Sequence, residues 1–323
     1  MTAAIRRPAP VDLTLVMGFP GAGKSRFITE AAAAAPERIA GILDEAATTR
    51  RTATGAIVET AGHGCLCCAG ATELQATLED LLRRRDNGRM PPITQVLVEL
   101  DGLADPLPPL AGVLRHPYLS LRYRPTGMIA LIDPRVPLHA VRAVSPAWRQ
   151  LTLAACHHRV AGDASVDSML RAACPAALPL ADPAALPPLD PAGWDEADRR
   201  RWLALRLGGT GRARPGASAA DHESFGFEEH RFTLPPARSP ADLAMFVEQF
   251  GARFGESLLR LKGQVALEGA PQSVVRIEAG CGWFAPPEVT AQADMPPGLI
   301  LRAPSGESAG MQLFITGHYP SSR

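Results

Sequence analysis

Two short runs hold most of the side chains in this sequence that can do chemistry: GFPGAGKS at 18–25 and GHGCLCCAG at 62–70. The first fits G-x-x-x-x-G-K-[ST] through Gly18, Gly23, Lys24 and Ser25. In that pattern glycines free the backbone, so the N–H groups of Gly21, Ala22 and Gly23 can wrap a phosphate. The following helix offers its positive end, Lys24 reaches the β and γ phosphates, and Ser25 can ligate Mg²⁺. The second run packs Cys65, Cys67 and Cys68, three of the chain's six cysteines, into four positions. Neighbouring cysteines seldom reach disulfide geometry, whereas thiolates favour Zn²⁺ or Cu(I). Zinc takes four ligands, of which this motif supplies three, with His63 a candidate fourth. The plainer reading is three small apolar residues in a core. A third group, Glu99, Asp101 and Asp105 in VLVELDGLADP, stands where a buried strand ends, the place from which an acid holds magnesium or its water shell. Surface acids on an ordinary turn would read the same way.

The elements around these runs suit the task. VDLTLVM (11–17) is a short apolar, β-branched run that leads into the glycine loop and then into the helix-favouring RFITEAAAAA. Further strands are expected at 38–43, 56–60, 93–100 and 126–133, with a helix at 72–85. Strands alternating with helices predict an α/β fold with a mostly parallel sheet. After Cys174 the proline- and alanine-rich CPAALPLADPAALPPLDPAG excludes a long regular element, and a short helix is expected in WDEADRRRWLALRL. The stretch 208–223 has linker composition. The chain is therefore divided into a nucleotide domain at 1–207, a linker at 208–223, and a smaller α+β domain at 224–323. That second domain is expected to hold a helix at 239–254, capped by Ser239, and strand-like runs at 257–267, 273–280, 298–304 and 311–317.

Composition narrows the partners. With 33 basic and 33 acidic residues among 323, the chain has no electrostatic footprint for nucleic acid or an anionic membrane. No run approaches the ~20 apolar residues of a membrane helix, and the amino terminus lacks a signal-peptide pattern. Both point to a cytoplasmic protein. Cys156, Cys174 and Cys281 are scattered, which argues against a disulfide framework. Adjacent His157 and His158 are expected at the surface, and 83–89 at the solvated end of a helix.

Taken together, GFPGAGKS, GCLCC, VELDGLADP and the later LLRLKGQV resemble the CobW-like family of P-loop GTPases, metallochaperone relatives of UreG and HypB. The resemblance implies GTP, Mg²⁺ and Zn²⁺ as ligands and an unidentified metalloprotein client. It places Glu99 in the magnesium and water environment beside the γ-phosphate, zinc or a similar cation on Cys65, Cys67 and Cys68, and the second domain at the carboxy terminus. The chain departs from the pattern in places. Leu100 replaces a hydroxyl residue, and LDEAATT, with Asp44 and Glu45, stands for the N-E-F-G-like switch. Where guanine-reading relatives carry N-K-x-D, the chain keeps Asp163 but has Val160 and Ala161 for asparagine and lysine. The linker holds only His222 where many relatives are histidine-rich.

The leading expectation is a nucleotide-hydrolysing metal-delivery protein whose nucleotide state gates the thiols. Two others stay open: a degenerate nucleotide-binding scaffold with little turnover or guanine selectivity, and a P-loop small-molecule kinase.

Overall fold

A computed structural model describes residues 9–44, 50–51, 56–60, 70–159, 170–172, 174–175, 177–207, 227–281, 283–291 and 297–319. The chain forms two compact units. One comprises Met1–Gly18, Ala22–Ile132 and Arg149–Gly216, the other Phe19–Gly21, Asp133–Trp148 and Ala217–Arg323.

The first unit is built on a mostly parallel sheet of β1 (Val11–Gly18), β2 (Ile39–Leu43), β3 (Arg50–Arg51), β4 (Ile57–Thr60), β5 (Gln95–Glu99), β6 (Tyr123–Pro125), β7 (Ile129–Ile132), β8 (Cys156–Arg159) and β9 (Leu178–Pro179). The order is β3-β4-β2-β5-β1-β7-β8-β9, with β6 also on β1, and β3 alone runs antiparallel to its partner. Every residue of β5 is buried, and all of β1 but Asp12. That is why both read as nearly unbroken apolar runs, the mark of strands covered on both faces. Helix α1 (Lys24–Ala34) packs on β2 and β5, burying Ile28 and Ala32 in a cluster with Val16, Leu97 and Ile129. Gly41 makes room for it, because a Cβ there would lie 2.5 Å from Cγ2 of Ile28. Helix α2 (Gly70–Asp86) covers the segment expected to be helical, and its last turn carries Arg83, Arg84 and Arg85. Arg84 pairs with Glu59 and with Asp80, so this end is tied down as well as solvated. Helices α3 (Leu107–Arg115), α4 (Leu119–Arg122), α5 (Leu138–Ala143), α6 (Ser145–Leu153) and α7 (Glu196–Arg206) complete the region up to 207. The first four are short and proline-rich or weakly periodic, and the sequence reading did not find them.

The second unit contains an antiparallel sheet of β10 (Phe227–Phe232), β11 (Arg260–Leu267), β12 (Ala270–Gly280), β13 (Trp283–Phe284), β14 (Glu288–Ala291) and β15 (Gly298–Pro304), ordered β10-β15-β11-β12-β13 with β14 on β12. Helix α8 (Pro240–Phe254) begins as expected: the Ser239 Oγ accepts the Asp242 N–H at 3.2 Å, and proline occupies the first turn. The run at 311–317 is a correction. It lies inside α9 (Ser308–His318), not in a strand. Met311 and Ile315, four apart, are fully buried while Leu313 is 73% exposed, a helical period that a short apolar run conceals. Helices α8 and α9 close the core, where Phe246 and Phe250 meet Leu261, Ile277 and Leu301.

Among the described residues no helix is long and apolar enough to cross a membrane.

Candidate functional site

At the end of β1 the backbone turns out of the sheet through Gly18, whose φ of 139° is open only to glycine. A Cβ there would sit 2.5 Å from the Leu131 carbonyl oxygen of β7. Gly21 and Gly23 also have positive φ, and α1 starts at Lys24 directly after Gly23, without a side-chain cap. A helix start with no side-chain cap is a place where backbone N–H groups can receive an anion.

Lys24 is only 6% exposed, and its Nζ donates to the Gly18 carbonyl at 3.0 Å, so the ammonium is folded back over the loop. The Ser25 Oγ donates to Oε1 of Glu99 at 2.9 Å. Glu99 is buried at the last position of β5 and pairs in register with Val16 of β1, which fixes it beside the loop. A hydroxyl and a carboxylate are hard oxygen donors, the kind Mg²⁺ takes.

The three acids expected in this segment have separate tasks. Glu99 meets Ser25. Asp101 turns back on its own loop, its Oδ1 accepting the Leu103 N–H at 2.8 Å. Asp105 starts α3 by accepting the Leu107 N–H at 3.0 Å, and its other oxygen takes Arg149 Nη1 at 2.9 Å and an ion pair with Arg201. Arg149 also reaches Asp198 at 2.8 Å. This is a half-buried ion cluster that pins the turn, and its carboxylate is committed there. Leu100 is wholly buried, which accounts for an apolar residue where a hydroxyl was expected.

Sequence reading missed Gln150, which links the loop to this turn. Its Oε1 accepts the Gly18 N–H at 3.0 Å, and its Nε2 donates to the Asp101 and Ala104 carbonyls at 2.7 Å each. A glutamine in a short helix carries no local signal of such a role.

Cys65, Cys67, Cys68, His63, Asp163 and Glu45 lie outside the described residues, so neither the thiol set nor the base-reading position is part of this geometry. Among the described residues no group of three histidine, cysteine or acidic side chains could hold a metal. Cys156, Cys174 and Cys281 are buried and free. Burial pushes all three thiols up, that of Cys174 to about 11, and Cys174 Sγ donates to the Leu151 carbonyl at 3.1 Å. They remain protonated at neutral pH and are poor ligands and nucleophiles. With a thiol-reactive dye in mildly alkaline buffer, these three should react at least about tenfold more slowly in the native than in the denatured protein. Peptide mapping of the labelled sites checks this.

The expectation that His157 and His158 lie at the surface is corrected. Both are half-buried on β8: His157 Nε2 lies 3.4 Å from the Leu151 carbonyl, and burial lowers its pKa. The His158 ring packs on Phe27 at 5.2 Å between centroids.

Comparison with known proteins gives these features a context. Residues 12–157 match the model of the CobW/HypB/UreG nucleotide-binding domain. Over 134 residues the chain is 32% identical to the zinc chaperone YjiA of Escherichia coli (strain K12), a match covering 38% of this chain and 41% of that protein. The chain thus spans about two fifths of the length of this curated relative. Among solved structures, the Zn(II)-bound YjiA GTPase from E. coli aligns over 96% of this chain and 99% of its own, with 18% identity and a TM-score of 0.43. HypB from Helicobacter pylori in complex with nickel aligns over 62% and 90%, with 15% identity and a TM-score of 0.38.

Proposed function

We propose that residues 12–157, which match the model of the CobW/HypB/UreG nucleotide-binding domain, are a nucleotide-binding domain of that family, and that the protein hydrolyses GTP and uses the cycle to load and release zinc for a metalloprotein client. In this reading Gly21, Ala22, Gly23 and Lys24 hold the β and γ phosphates, and Ser25 ligates Mg²⁺ with Glu99 beside it in the water shell. The bound ion would neutralise charge on the phosphate oxygens. Water adds to the γ-phosphorus as the bond to the β,γ-bridging oxygen breaks, and GDP, inorganic phosphate and the proton lost by the water are released. Lys24 stabilises the charge that gathers on the transferred group. Cys65, Cys67 and Cys68 take the zinc as cargo, and Asp163 accepts the guanine N–H groups. The division into a nucleotide domain at 1–207, a linker at 208–223 and a second domain at 224–323, and a cytoplasmic location, belong to the same reading.

The observation that carries it is the Ser25–Glu99 hydrogen bond of 2.9 Å beneath a loop whose lysine is already folded over it. That arrangement suits a magnesium triphosphate. The zinc relative supports the cargo, as does the chemistry of three clustered thiols.

Coupling requires that nucleotide and zinc each bind one state better than another, and the effect must be reciprocal. Zinc affinity measured by competition with a chromophoric chelator should shift by roughly 5- to 150-fold when a non-hydrolysable GTP analogue with Mg²⁺ is added. Equal affinities would remove the gate. A second reading, a nucleotide-binding scaffold with little turnover, is favoured by Val160 and Ala161 where guanine readers have asparagine and lysine. Clear turnover with a preference for GTP over ATP would exclude it.

A further inference from the structure

Gln150 is 1% exposed, and its amide uses its oxygen and both hydrogens on backbone groups of two different segments. Those segments are the start of the phosphate loop and the turn that follows Glu99. Strands β1 and β5 lie side by side up to Val16 and Glu99, with one further bond from the Leu100 N–H to the Val16 carbonyl at 3.0 Å. Past that point the ladder stops and no longer sets the separation of the two chains. The Gln150 amide takes over there, with 3.0 Å to Gly18 on one side and 2.7 Å to Asp101 and to Ala104 on the other. The adjacent Arg149 holds the far end of the same turn through Asp105 at 2.9 Å.

Resting on the hydrolase reading, we propose that Gln150 is a positioning residue for phosphoryl transfer, holding the Lys24 anchor and the Glu99 carboxylate at a fixed separation. Gly18 is gripped at both ends of one residue: Gln150 takes its N–H and Lys24 Nζ donates to its carbonyl at 3.0 Å. Movement of Gly18 moves the lysine, and movement of Asp101 moves Glu99 two residues earlier. A side-chain amide supplies one acceptor and two donors together, which neither a carboxylate nor a hydrocarbon of the same length can do. Glutamate keeps the bond to Gly18 but faces two carbonyl oxygens with no hydrogen to offer. Methionine matches the length and makes none of the three bonds.

The test uses the full-length protein with Gln150→Glu and Gln150→Met. Three quantities are measured for each: melting temperature, affinity for fluorescent GTP and ATP derivatives with Mg²⁺ and with EDTA, and steady-state turnover. A misplacement of about 1 Å can cost on the order of 100-fold in rate. The expected result is that Gln150→Glu, which keeps the bond to Gly18 and with it the lysine, folds with a Mg²⁺-free affinity within about threefold of the parent, a smaller gain in affinity on adding Mg²⁺ and a kcat lower by roughly 10- to 100-fold, while Gln150→Met weakens Mg²⁺-free binding further than Gln150→Glu does. Gln150→Glu carries the test if Gln150→Met does not fold. Three results overturn the proposal: turnover within about twofold of the parent in a folded variant, a parallel fall of Mg²⁺-free affinity and kcat in Gln150→Glu, or failure of both variants to fold, which would make Gln150 a determinant of the fold alone. A parent protein that binds nucleotide without hydrolysing it above background would instead sink the hydrolase reading, and this proposal with it.

Discussion

Lys24→Ala is expected to lower nucleotide turnover by about 100- to 1,000-fold, the range seen when one preorganised donor to developing charge is removed. The lysine is the buried cation of the loop, held against the Gly18 carbonyl at 3.0 Å. Alanine leaves that carbonyl one donor short, a loss of about 1 kcal/mol that a folded protein tolerates. The effect on stability is therefore small beside the effect on rate. Nucleotide affinity should weaken as well, because the ammonium contacts the phosphates in the ground state. Lys24→Arg should not rescue, since a planar guanidinium is not a compact point charge. Phosphate release by purified parent and variant checks this, and an unchanged rate would assign the activity to a contaminant.

Phe250→Ala is the second large effect, and it falls on stability. Phe250 is fully buried on α8, with ring centroids 5.8 Å from Phe246, 5.1 Å from Phe254 and 5.7 Å from Phe314. Truncating a core phenylalanine costs about 3–5 kcal/mol, because the lost transfer energy is joined by a cavity and by lost ring contacts. Against a typical stability of about 5–15 kcal/mol this is enough to melt the second unit well below the parent's transition. Its core shares no residue with the cluster around Val16 and Ile28. Hydrogen exchange should accordingly show protection falling most in β11, β12 and β15, while β1 and β5 keep theirs. Uniform loss across both sheets would mean that the two cores do not unfold separately.

How much of this was written in the chain depends on distance along it. The phosphate loop is contiguous, so strand, glycines, lysine and helix could be found together, and β15 occupies the expected 298–304. Glu99 was legible as an acid where a buried strand ends, but three acids stood there, and sequence alone could not divide their tasks. The division comes from Ser25, Arg149 and Arg201, which reach the segment from elsewhere in the fold. Gln150 marks the limit. Its partners lie 132, 49 and 46 positions away, and no local pattern announces a contact of that range. The misread run at 311–317 failed for a different reason. Seven mostly apolar residues suit either period, and burial of Met311 and Ile315 decides between them only once the helix has a core to face.

The strand order also bears on how the protein is made. Among the described strands β1 precedes all of its partners, β5, β6 and β7, in the chain, so its register with Gln95–Glu99, Tyr123–Pro125 and Ile129–Ile132 cannot form until those residues exist. At translation rates of about 5–20 residues per second, the apolar run of β1 waits roughly 4–20 seconds for a partner. During that interval it is open to chaperone capture or to pairing with a second nascent chain, and slower decoding before residue 95 would lengthen the exposure.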